Sequence, residues 1–182
     1  MPSGRELSWI FRALTPDDAH AGVALRNRLA RPSADAEGLA SDRGACALLV
    51  TEDDRYLLQL RDAHPGMTHP GYWGFFGGNI EPGELPEVAL RRELIEELRF
   101  EPRQVDYLTE VGIVYPGPPR RLHSVIFFIV RIAEDDLGRM TLGEGRGMKL
   151  FSPEELESTA RVDPLGLAVL MMHARPRDFY RP

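Results

Sequence analysis

Glu93, Glu96 and Glu97 fall in GNIEPGELPEVALRRELIEELRF, residues 78 to 100, on a stretch whose apolar spacing predicts a helix. At about 100° per residue, positions i, i+3 and i+4 project from one side of a helix, so the three carboxylates lie together. Carboxylates this close repel one another unless a cation lies between them, and hard oxygen ligands suit Mg²⁺ or Mn²⁺ better than Zn²⁺. Leu94, Ile95 and Leu98, with Val88, are expected to face a core, and Ala89, one turn before Glu93, leaves room beside it. Glutamates on an amphipathic helix are also found as a plain solvated face. The turn ahead of the helix argues for more.

Gly77, Gly78, Pro82 and Gly83 surround the helix start, where glycine lets a backbone approach a ligand or metal closely. Glu84 and Glu87 follow at or near the first turn, where the helix dipole favours negative charge. Taken together, the chain reads Gly78, five residues, Glu84, seven residues, then Arg92, Glu93, Leu94, Glu96 and Glu97. This pattern resembles the Nudix box of the Nudix hydrolases, the MutT-like family. The resemblance implies an α/β fold, an α/β/α sandwich around a mixed sheet. It also implies attack of water on a phosphorus of a nucleoside diphosphate linked to another group, with Mg²⁺ (or Mn²⁺) as cofactor. Carried onto this sequence, the metal ligands are the Gly77 carbonyl and the carboxylates of Glu93, Glu96 and Glu97. Arg92 orients glutamates, and Glu84 supports from behind. The general base is a glutamate of the box, Glu93 or Glu97, or one on a later loop, for which Glu144 in TLGEGRGM is placed; Gly143 and Gly145 would let that loop swing. The pattern departs at Arg99, where the family has glycine. With a side chain there, the helix is expected to run on towards Pro102.

The elements needed to hold such a site are readable in order. GACALLVTE and RYLLQLRD, separated by Asp53 and Asp54, read as a hairpin. YWGFF, DYLTEVGIVY, RLHSVIFFIVRI and GMKLF read as further strands, with PGPPR as a turn. Ser152-Pro153-Glu154-Glu155 is a helix start, and DPLGLAVLMMHAR has helical spacing. Residues 44–182 form the expected Nudix domain. Residues 1–43 form an N-terminal extension, with a helix over Asp17 to Arg31 and a linker after it.

Composition sets bounds. The chain has 182 residues, 43% hydrophobic and 27% charged, enough for one domain with a full core. No apolar run nears the roughly 20 residues a membrane span requires, and the start lacks a signal-peptide core, so a cytoplasmic protein without membrane contact is expected. A formal charge of −6 argues against long nucleic acid as partner, whereas a small nucleotide-derived substrate arriving with its own metal remains compatible. Monomer and homodimer both stay open. The single cysteine, Cys46, sits in an apolar run and reads as a core thiol.

For substrate, Arg61 at the end of the second strand is the candidate phosphate contact, with Arg120 and Arg121 behind it. Trp73, Phe75 and Phe76 read as core more than as a base-stacking platform. Tyr115-Pro116-Gly117 resembles ADP-ribose and nucleotide-sugar pyrophosphatases, while PGYWGFFGG resembles members acting on nucleoside triphosphates, oxidised ones included. A nucleotide-sensing module without catalysis is the alternative. An isoprenoid diphosphate isomerase ranks last, because Cys46 and the histidines do not supply its chemistry.

Overall fold

In a strand, side chains alternate faces, so a long strand that is apolar throughout must be covered on both sides. The computed structural model describes residues 9–12, 40–64, 69–115, 121–158 and 161–175. The strands are β1 (Trp9–Arg12), β2 (Ala40–Val50), β3 (Tyr56–Leu60), β4 (Trp73–Gly74), β5 (Phe76–Asn79), β6 (Asp106–Tyr115), β7 (Arg121–Arg131) and β8 (Gly147–Phe151). The helices are α1 (Pro86–Leu98), α2 (Glu134–Leu137), α3 (Pro153–Ser158) and α4 (Pro164–Ala174). From β2, Ala45, Ala47 and Leu49 pack against Ala89, Leu90, Leu94 and Leu98 of α1. Leu48 and Val50 pack on the other face against Leu156 of α3 and Val169 and Leu170 of α4. The result is the expected sandwich, helix, mixed sheet, helix.

The described strands run β1-β6-β7-β2-β3-β4, with β5 also paired to β2 and β8 to β3. β2 and β7 are parallel from Ala40↔Arg121 to Val50↔Arg131, and the other pairs are antiparallel. The hairpin read from Asp53 and Asp54 is β2–β3, with Leu49 opposite Leu57. Ser152 and Glu155 form a reciprocal cap on α3, each side chain accepting from the other's backbone N–H.

Several expectations need correction. Val88 and Ile95 do not enter the core; they are 51% and 40% exposed. The buried face of α1 is set by Leu90, Leu94 and Leu98, four residues apart, with Ala89 packed against the sheet and so leaving no space for a ligand. The helix does not run to Pro102. It ends at Leu98, and Arg99 adopts the left-handed conformation, φ 52°, with its N–H donating to the Ile95 carbonyl and the Phe100 N–H to that of Leu94. The sheet starts before residue 44: β2 begins at Ala40, and residues 9–12 pair with β6. α2 was not foreseen. Asp17 to Arg31 and the PGPP turn with Arg120 lie outside the described residues.

Candidate active site

The box loop passes under α1 because its two glycines remove the atoms that would block it. A Cβ on Gly77, φ 129°, would lie 2.1 Å from the Ala45 carbonyl oxygen, so no other residue fits in the ladder opposite Cys46. There the Gly77 N–H donates to Glu97 Oε2 at 2.8 Å. A Cβ on Gly78 would lie 2.5–2.7 Å from the Glu93 carboxyl group, so the Glu93 head rests directly on the Gly78 backbone. The loop thus seats one glutamate on each glycine.

Arg92 ties these parts together. Its Nε and Nη2 donate to the two oxygens of Glu84, both at 3.1 Å, its Nη2 to the Asn79 carbonyl at 3.0 Å, and its Nη1 to Glu93 Oε1 at 2.7 Å. Glu96 lies 3.5 Å from the same Nη1. This fork holds the Glu84 carboxyl below its ordinary range, helped by the Glu81 N–H. Arg92 therefore faces carboxylates and a carbonyl, and Glu84 braces it from the side of the turn.

Glu97 carries the main electrostatic strain. It is 7% exposed, and burial pushes its carboxyl up to about 7; the Gly77 N–H opposes this, while the charges of Glu93 and Glu144 add to it. Glu144 is near because its loop is docked on the end of α1. The Thr141 N–H donates to the Leu98 carbonyl at 2.9 Å and the Gly143 N–H to that of Glu97 at 2.6 Å. The glycines beside Glu144 serve this contact more than a swing: a Cβ on Gly143 would lie 2.5 Å from the Glu96 carbonyl oxygen.

Arg61 follows directly on β3. Its Nε is buried with no hydrogen-bond partner. Its aliphatic stem lies along Gly74, where a Cβ would meet it at 3.4 Å. The thiol of Cys46 senses the whole surroundings. Burial pushes it up to about 12, the charges of Glu97, Asp163 and Glu93 add to that, and Arg61 opposes. Cys46 is only partly buried as a residue, yet its sulfur is well desolvated.

Among the described residues, no three acidic, His or Cys side chains stand gathered to hold an ion. Arg92 draws Glu93 and Glu96 towards itself. The donor set nevertheless fits a hard divalent cation, since it is made of carboxylate oxygens and the charges of Glu93 and Glu144 both bear on the buried Glu97. Asp163 and Gln59 carried no part in the sequence reading. Asp163 caps α4 through the Gly166 N–H and lies 3.3 Å from His69; nothing local singles it out. Gln59 had a signal, one polar residue inside the apolar strand YLLQL. Trp73, Phe75 and Phe76 belong to or pack on the core as read.

The family model of the NUDIX domain matches residues 40–170. The chain belongs to the NUDIX family. The match takes in the whole of the box and the Glu144 loop. Over 50 residues the chain is 48% identical to Nucleoside triphosphatase NudI of Escherichia coli (strain K12 / DH10B), covering 28% of this chain and 35% of NudI. The chain thus spans about a third of the length of the curated relatives it matches. In structure it is similar to the MutT protein of Methanosarcina mazei Go1, with TM-score 0.61 and 18% identity over 77% of this chain and 97% of that one. It is also similar to the NUDIX domain of Shewanella oneidensis NrtR in complex with ADP ribose, with TM-score 0.59 and 18% identity over 90% and 99%. At these identities the structural likeness speaks for the fold.

Proposed function

We propose that this chain is a Mg²⁺-dependent hydrolase that cleaves the pyrophosphate linkage of a nucleoside diphosphate derivative. The observation that carries the reading is the buried Glu97, fixed by the Gly77 N–H and bearing the charges of Glu93 and Glu144, together with the buried, unpartnered Nε of Arg61. Glu93, Glu96 and Glu97, with the Gly77 carbonyl, would hold Mg²⁺ or Mn²⁺. Bound there, the cation would supply charge neutralisation at the phosphates and a more acidic water. Arg92, braced by Glu84, keeps Glu93 in place and out of solvent. Arg61 offers its free N–H to a phosphate oxygen, a charge-assisted contact that also orients the chain of phosphates. A glutamate accepts the proton of the attacking water as the bond from phosphorus to the bridging oxygen breaks. Glu93 and Glu97 are the first candidates for that base and Glu144 the second.

Among substrates, the identity shared with NudI favours a nucleoside triphosphate, canonical or oxidised. ADP-ribose, which the NrtR domain binds, and nucleotide sugars form the second group. A cytoplasmic setting goes with this reading, and the protein acts as monomer or homodimer without long nucleic acid. The test is phosphate release, coupled to pyrophosphatase or phosphatase, across nucleoside triphosphates, oxidised deoxynucleotides, ADP-ribose, nucleotide sugars and dinucleoside polyphosphates, with and without Mg²⁺. Metal-dependent turnover of one class supports the hydrolase and names its substrate. Silence across the panel, with nucleotides still raising the melting temperature, would replace it by a nucleotide-sensing module.

A further inference from the structure

Gln59 is 5% exposed in the middle of β3, where Leu57 on the same face packs in the core. A buried amide is retained where both its hydrogens and its oxygen have work, since burying it unpaired costs more than a leucine or methionine would. One of its N–H groups donates to the Glu144 carbonyl at 3.0 Å. The loop closes over this amide without slack. Gly145 has φ 81°, and a Cβ there would lie 2.8–3.0 Å from Cγ, Cδ and Nε2 of Gln59. The same loop is tied to β3 by the Arg146 N–H on the Leu60 carbonyl, 2.8 Å, and to α1 by the Gly143 N–H on the Glu97 carbonyl. The Glu97 carboxyl takes the Gly77 N–H on its Oε2 at 2.8 Å.

We infer that Gln59 is a positioning residue, a strut that holds the Glu144 loop between β3 and the Glu97 end of α1 and so sets where Glu144 stands relative to Glu97. With the strut in place, the Glu144 backbone cannot leave β3 or α1 without breaking the bond from the Gln59 amide or that from the Gly143 N–H to the Glu97 carbonyl. The inference rests on the proposed metal-dependent reading of the site, and it concerns how these carboxylates are held for a divalent ion.

The experiment titrates Mn²⁺ alone into the full chain, stripped of metal, and follows free Mn²⁺ by electron paramagnetic resonance, with thermal melts in EDTA alongside. Wild type, Gln59→Met and Glu97→Gln are compared. Methionine keeps the length and packing of glutamine and removes the donors. The strut predicts that Gln59→Met melts within a few degrees of wild type, yet binds Mn²⁺ at least tenfold more weakly and needs correspondingly more Mg²⁺ for half-maximal hydrolysis. Mn²⁺ affinity equal to wild type in Gln59→Met would overturn it and leave the amide a structural filler of the loop. If wild type binds no Mn²⁺, or Glu97→Gln binds it as well as wild type does, the metal-site reading fails and the strut with it. Should Gln59→Met not fold, Gln59→Asn, whose amide is one methylene short, takes its place with the same expectation.

Discussion

Glu97 has two contributions that pull in opposite directions, one to the fold and one to the site. Its carboxyl sits at about 7 where an unfolded glutamate sits near 4.5, chiefly through burial. A carboxyl raised in the folded state costs nothing below the unfolded value and destabilises progressively as pH rises through the folded one. In metal-free protein the full penalty above pH 7 is about 3 kcal/mol, at 1.36 kcal/mol per pH unit. Glu97→Gln, which mimics the neutral acid, is therefore expected to melt higher than wild type in EDTA at pH 8 and alike at pH 4.5, while turnover falls by orders of magnitude. Melting curves at the two pH values and one activity assay check this; a lower melt at pH 8 would show that the charged carboxylate stabilises the fold. Arg61 is the converse case. Its buried Nε has no bond to lose, so Arg61→Met is expected to leave the melt nearly unchanged. Without a charge-assisted contact worth about 1.5–3 kcal/mol, it should raise KM ten- to a hundredfold.

At the level of elements, the helix end offers a direct test. Arg99 holds a left-handed conformation that glycine adopts freely, so Arg99→Gly is expected to stabilise by up to about 1 kcal/mol, read as a higher urea midpoint at unchanged slope. That Arg99 breaks the family pattern was plain in the sequence, but its outcome was read wrongly. The Schellman-type bonds to Ile95 and Leu94 end the helix at their own cost, and a side chain strains that turn without abolishing it. Helix and strand identities were legible wherever periodicity was clear, as in β6, β7 and α4. Which face of α1 is buried was not. Apolar residues at 88, 90, 94, 95 and 98 spread over nearly half of the helix, about 160° at 100° per residue, and only the sheet decides among them. Strand partners such as β3 with β8, far apart in sequence, carry no local signal either. In the candidate site, spacing singled out the box glutamates and Arg92 for proposal, and flanking glycines singled out Glu144. Gln59 and Asp163 act through contacts between distant segments, which a linear reading does not show.

For the molecule as a whole, the two faces of the sheet respond to pH in opposite senses. On the α1 face, ionised Glu97 destabilises metal-free protein as pH rises. On the α4 face, the Tyr56 hydroxyl lies 2.8 Å from Nδ1 of His173, and burial, aided by the charge of Arg131, lowers the His173 pKa against the opposing pull of Asp54. A histidine lowered in the folded state contributes stability above its ordinary 6.5 that is lost as pH falls through the folded value. Metal-free protein is thus expected to have a stability maximum at mildly acidic pH, moving to alkaline pH when Mg²⁺ is added; amide exchange in α4 should quicken first on the acid side. A maximum that does not move with Mg²⁺ would uncouple Glu97 from metal binding.

The chain has one thiol, and it lies between these faces, opposite Gly77 in the ladder that carries the box loop. Burial pushes this thiol up to about 12, so at pH 8 the folded protein holds far less of the reactive thiolate than an ordinary cysteine, of which about a quarter is ionised there. Cys46 is therefore a built-in clock. The rate at which it takes up a disulfide reagent is expected to report on the β2–β5 ladder, and a ligand that tightens the box loop is expected to slow it without a label having to be added anywhere else.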